Sequence, residues 1–82
     1  MEMGICVVGI VVDHRKAHAK DVQEVLSQYS SVILNRNGIP HPDQPEQGII
    51  TLTLRCNTEE KEKLERELNQ IPDVCTQCMR LT

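Results

Sequence analysis

Cys75-Thr-Gln-Cys78 is the sharpest chemical motif in this 82-residue chain. Paired cysteines at that spacing hold zinc in a tight turn, or exchange disulfides where they open a helix whose dipole lowers the thiol pKa. Here they lie in an extended pattern near the end of the chain. Residues i and i+3 of a strand point to opposite faces, so both thiolates reach one metal only across a bulge. Cys6, on a neighbouring strand, is a conceivable third ligand. The weightier reading is of small hydrophobes, as free cysteines usually are.

His14 and His18 stand one helical turn apart, with Asp21 about one turn further, a spacing able to chelate a divalent metal. Arg15, Lys16 and Lys20 share that region, which points to a solvated face. Asp13-His-Arg-Lys16 lies where a strand passes into a helix, and helix N-terminal amides there can hold an anion. The expectation is that the Asp13 carboxylate already occupies them as an N-cap. His41 stands alone in a proline-rich segment. No nucleophile–base pair, glycine-rich phosphate loop or carboxylate pair emerges, so the chain reads as a non-enzyme, and its residues assign no cofactor.

These side chains need elements to place them. Gly4 to Val12 is a continuous β-branched run, the pattern of a strand buried on both faces. From His14 to about Tyr29, the apolar residues Val22, Val25, Leu26 and Tyr29 recur at helical spacing. Val32-Ile-Leu34 begins a second strand, and three of the four prolines fall between Asn37 and Gly48, predicting a long, stiff connection. Ile50, Leu52, Leu54 and Cys56 alternate with polar residues, the cleanest strand in the chain. Asn57 or Thr58 caps a second helix, with Glu60 placed for a capping box and Leu64, Leu68 and Ile71 as its apolar stripe. Glu59–Lys63 and Glu62–Arg66 lie in the favourable i,i+4 order on its outer face. Pro72-Asp73 stops it, and Val74 to Leu81 reads as a last strand.

The order β-α-β-β-α-β predicts a ferredoxin-like α+β sandwich, a four-stranded antiparallel sheet with two helices on one face, and one domain over residues 1–82. Right-handed crossovers place the first strand centrally, beside the third and fourth. A chain of this size buries only roughly 60–65% of its unfolded surface. With no Trp, no Phe and one Tyr, its core must be aliphatic. The helices cover one sheet face, yet the first strand is apolar on both. A second subunit is the simplest cover, so a homodimer or homotetramer is expected.

Net charge is −3, with nine Lys and Arg scattered along the chain. DNA-binding proteins cluster positive charge, and RNA platforms need exposed aromatics, so direct nucleic-acid binding is not expected. The Gly4–Val12 run is too short to span a bilayer and lacks the flanks of a signal peptide. The four cysteines then belong in a reducing cytosol, so a cytoplasmic protein without membrane association is expected.

Several short motifs resemble one family. They are the strand ending Val-Val-Asp13, the helix ending Leu26-Ser-Gln-Tyr-Ser30, Ile33-x-x-Arg36-x-Gly38-Ile-Pro40, and the stretch from Leu64 to Ile71-Pro-Asp-Val74. Together they are similar to the iron-only hydrogenase system regulators, small ACT-like proteins with a ferredoxin-like fold. The resemblance spans nearly the whole chain. It implies a cytoplasmic oligomer tied to the hydrogenase system, with a small-molecule or metal effector and a hydrogenase-system protein partner. Arg36, Gly38 and Pro40 match the most distinctive motif, and with Asp13, His14, Arg15 and His41 they are the candidate ligand or interface residues. His14, His18, Cys75 and Cys78 are the candidate metal ligands. The Cys75/Cys78 pair lies outside the family pattern. The chain also resembles amino-acid-binding ACT modules, but Asp13-His-Arg-Lys-Ala17 lacks the glycine usual in their first loop. It resembles the metal-binding half of nickel-responsive repressors too, without their DNA-binding segment. Transcriptional control would therefore run through a partner. Metal binding, or structural assembly in hydrogenase maturation, is the alternative reading.

Overall fold

The structure, a computed structural model, describes residues 3–82. Its elements are β1 (Gly4–Val12), α1 (Arg15–Gln28), β2 (Ile33–Pro40), β3 (Gly48–Cys56), α2 (Thr58–Asn69) and β4 (Val74–Arg80). The strands form one antiparallel sheet in the order β2-β3-β1-β4. The β-α-β-β-α-β order and the central first strand are as the sequence predicts.

Strand pleating sorts β1 into two faces. Cys6, Val8, Ile10 and Val12 are buried against the helices, while Ile5, Val7, Gly9 and Val11 face the open side. Leu52, Leu54 and Cys56 of β3 join the core, as do Val22 and Leu26 of α1 and Leu64 and Leu68 of α2. This core is wholly aliphatic and thiol. On the open face, β3 sets Arg55, Thr53, Thr51 and Ile49 beside Ile5, Val7, Gly9 and Val11, and β4 sets Met79, Gln77 and Cys75 beside Val7, Gly9 and Val11. Val11, Leu34, Ile39, Met79 and Leu81 remain exposed.

The second helix starts as its sequence requires. The Asn57 side chain accepts from the Glu60 N–H at 2.8 Å, and the Glu60 carboxylate accepts from the Asn57 N–H at 3.1 Å, closing a capping box.

Two expectations are corrected. Asp13 does not cap α1. Its N–H donates to the Asp73 carbonyl at 2.8 Å, which holds Asp13 at the sheet end. The cap position passes to His14, which makes no side-chain cap bond, and the Asp13 carboxylate accepts from the His14 N–H at 3.0 Å. Second, Asn37 to Pro40 are strand and not loop, paired with Thr51 to Gly48 of β3. No glycine has positive φ, so Asn37-Gly38 cannot form the hairpin turn its dipeptide signals. Pro40 is tolerated because β2 is an edge strand.

Candidate functional site

Small residues open a cleft between α1 and the β2–β3 ribbon. Ala19, Gly38 and Gly48 leave a cavity of about 210 Å³, walled also by Val12, Val22 and Ile50. Beyond it β2 is uncovered, and every residue from Leu34 to Pro40 is exposed. Arg36 reaches back across the gap, donating from Nη2 to Gln23 Oε1 at 2.7 Å. Gln23 and Arg15 line the cavity, eight residues apart on one helix face. The Arg15 stem packs over Gly48, where a Cβ would lie 3.6 Å from Arg15 Cδ. Arg36, Gly38, Pro40 and Arg15 therefore gather around one feature, Arg36 through Gln23.

Arg15 also lines a second cavity, of about 410 Å³, with His14, Lys16, Ala17, Pro45 and Glu46. His14 in its wall belongs to the junction of β1 with α1, which is held to the junction of α2 with β4. His14 Nδ1 lies 3.2 Å and His18 Nε2 3.1 Å from the same atom, Asp73 Oδ2. His14 and Asp73 have φ of 49° and 64°, and no other described non-glycine residue has positive φ. Such left-handed backbone costs an ordinary residue roughly 1–2 kcal/mol, least for short polar side chains. Both strained residues meet at one contact, so the strain buys the convergence of two imidazoles on one carboxylate. Asp21 lies exposed, apart from that contact.

The other candidates separate. Cys75 sits on the open face opposite Val11, and Cys78 on the core face opposite Val8, as i,i+3 spacing in a strand demands. Burial, then the neighbouring Glu65, pushes the Cys78 thiol up to about 12. Burial, then the Cys6 thiol, pushes Cys56 up to about 11. Groups held neutral in this way are poor nucleophiles. Tyr29 is also pushed up to about 12, by burial and by its 2.8 Å hydrogen bond to Glu67. His41 is engaged in its own loop, its Nδ1 accepting from the Asp43 and Gln44 N–H groups at 3.0 and 3.2 Å. Among the described residues, no group of three or more His, Cys, Asp or Glu is arranged to hold a metal ion. No described helix is long and apolar enough to cross a membrane.

Residues 4–78 match the family model of the TM1266-like proteins, described as iron-only hydrogenase system regulators. The chain belongs to that family. This TM1266-like protein is similar to the uncharacterized protein TM1266 from Thermotoga maritima, at 30% identity and a TM-score of 0.91, covering 99% of this chain and 100% of that one. The fold alone recurs in the C-terminal domain of the MgtC protein from Mycobacterium tuberculosis (18% identity, TM-score 0.75, 96% and 88% of the two chains). It recurs as well in protein SO0527 from Shewanella oneidensis (4% identity, TM-score 0.57, 98% and 97%). No curated protein matches the sequence.

Two residues of this TM1266-like site escaped the sequence reading. Gln23 carries a signal in its spacing, since Arg15, Ala19 and Gln23 recur every four residues. Asp73 has none beyond its role as a helix stop, because only the pairing of β4 with β1 brings it to His14.

Proposed function

We propose that the protein is a ligand-responsive regulatory subunit of the iron-only hydrogenase system, working as a homodimer or homotetramer and acting through a protein partner without catalysis. One observation carries the reading: Arg36, Gly38 and Pro40, the residues of the most distinctive family motif, serve no core. Gly38 and Pro40 line a surface cavity and Arg36 bonds to Gln23 in its wall, all on a strand exposed almost throughout. Residues there act by meeting something outside the chain. Family membership supplies the system. The apolar open face of β1, continued by Met79 and Ile39, supplies the reason to oligomerise.

Deleting the gene in a hydrogenase-producing host tests the assignment, and hydrogenase output is expected to change. Complementation by the wild-type chain but not by Gly38→Val would tie that output to the cleft. Unchanged output on deletion would refute the regulatory role. A gel-shift assay at low salt tests the indirect mode of action, and tight DNA binding by the protein alone would overturn it.

A further inference from the structure

We infer that the cleft between α1 and the β2–β3 ribbon binds a small aliphatic carboxylate, its charge on Arg15 and its chain among Val12, Val22 and Ile50; this rests on the ligand-responsive reading above. At roughly 30 Å³ per water, a cavity of about 210 Å³ holds about seven waters, room for an acid of about four to six carbons.

Charge selects the head group. The ion pairs among the described residues are those of His14 and His18 with Asp13 and Asp73. Arg15, a lining residue of the cavity, makes none of these ion pairs, so its charge is free to meet a carboxylate there. Its planar fork suits bidentate carboxylate recognition. Glu46 lies in the adjoining cavity, outside this one.

A second donor is set by chemistry outside the cavity. The Arg36 guanidinium can only donate, so it fixes the Gln23 amide with its oxygen turned towards Arg36. The Gln23 NH₂ is then left to serve an acceptor on the ligand. Arg36 is in this way a positioning residue, acting through Gln23. Arg15 and Gln23 thus both turn donor groups to one carboxylate, while Val12, Val22 and Ile50 in the wall are apolar. That pattern rejects cations, and neutral amides gain nothing from Arg15's charge.

Gly38 lets the cavity be closed without breaking the fold. A Cβ built there has its nearest neighbours, Ile49 O and Ile50 Cγ1, 4.0 Å away. Its φ is not positive, so a β-branched side chain is admissible on this edge strand. Gly38→Val fills the space, and Arg15→Met keeps the stem over Gly48 while removing the charge.

The test is an NMR amide-shift titration of the wild-type chain with 4-methylpentanoate, 4-methylpentanamide and a short peptide ending in leucine. Saturable one-to-one shifts on α1 and β2 are expected with the free acid, and at least roughly tenfold weaker binding with the amide. Arg15→Met should weaken the acid by a similar factor, and Gly38→Val should abolish binding with the remaining amide spectrum intact. Arg36→Met should weaken it less than Arg15→Met. No shifts at millimolar acid, equal binding of the amide, binding of the peptide alone, or indifference to Arg15→Met would overturn the inference. Any of these would leave the regulatory reading intact, because that is judged by hydrogenase output and not by this titration.

Discussion

Replacing Val7 by Glu separates a protein that lives alone from one whose open sheet face is covered by a second copy. Val7 sits mid-strand on that face, beside Thr53 of β3 and Met79 of β4. It is half-buried in the isolated chain. A carboxylate there stays hydrated in a monomer, and the cost is that of a surface substitution, within about 1 kcal/mol. A two-fold interface across the face receives two carboxylates, one per subunit. Each unpaired charge taken out of water costs about 3–5 kcal/mol, so the pair removes about 6–10 kcal/mol from association. A nanomolar dimer, bound by about 12 kcal/mol, would weaken to tens of micromolar or beyond. Light scattering at micromolar protein reads the result. The wild type is expected at twice or four times its 9.3 kDa chain mass, and Val7→Glu at the chain mass itself, folded by its amide spectrum. A wild-type monomer would refute the reasoning outright. An unchanged oligomer in Val7→Glu would move the interface off this face.

Other outcomes follow from the core, the cap and the titrating groups. Leu68→Ala, at a position with 0% exposure beneath the sheet, should cost about 2–5 kcal/mol in urea denaturation, and a loss below 1 kcal/mol would show a looser core than described. Asn57→Ala removes the side-chain acceptor of the capping box, leaving the backbone N–H bond to Glu60, and should cost about 1 kcal/mol, read as a fall of about 4–8 °C in Tm. Tyr29, Cys56 and Cys78 have folded pKa values raised to about 12, 11 and 12 from ordinary values of 10.0, 9.0 and 9.0. The fold favours their neutral forms, so that contribution is fully present below pH 9 and is lost as pH climbs to 12. Urea midpoints should decline through that window, less steeply in Cys78→Ala, and a flat profile would contradict the burial of these groups.

The elements that bury a face were legible because burial imposes a period. The β3 alternation and the Leu64, Leu68, Ile71 stripe of α2 read directly into the structure, and so did the capping box. The two-faced character of β1 required a central strand, and topology placed it there. Strand β2 was truncated in the sequence reading because an edge strand exposed from Leu34 to Pro40 has no core to enforce alternation. Its Asn-Gly and its proline dominated the local signal instead. The α1 cap was misplaced because a tertiary bond, from Asp13 N to the Asp73 carbonyl, outranked the local preference of an aspartate. The site divided in the same way. Arg15, Arg36, Gly38 and Pro40 were visible as motif residues. The tie of His14 and His18 to Asp73, across 59 and 55 positions, belongs to the fold and to no window of sequence.

The central place of β1 also governs how this chain can fold. Ile10 finds its partners only at Ile50 and Thr76, long after it has left the ribosome. Until β3 and then β4 emerge, the most apolar segment of the protein is a strand with two unpaired edges. Such long-range pairing slows folding and exposes the nascent chain to aggregation. Assembly of the sheet is therefore a late event of synthesis, and Gly4–Val12 keeps both edges unpaired in the interim.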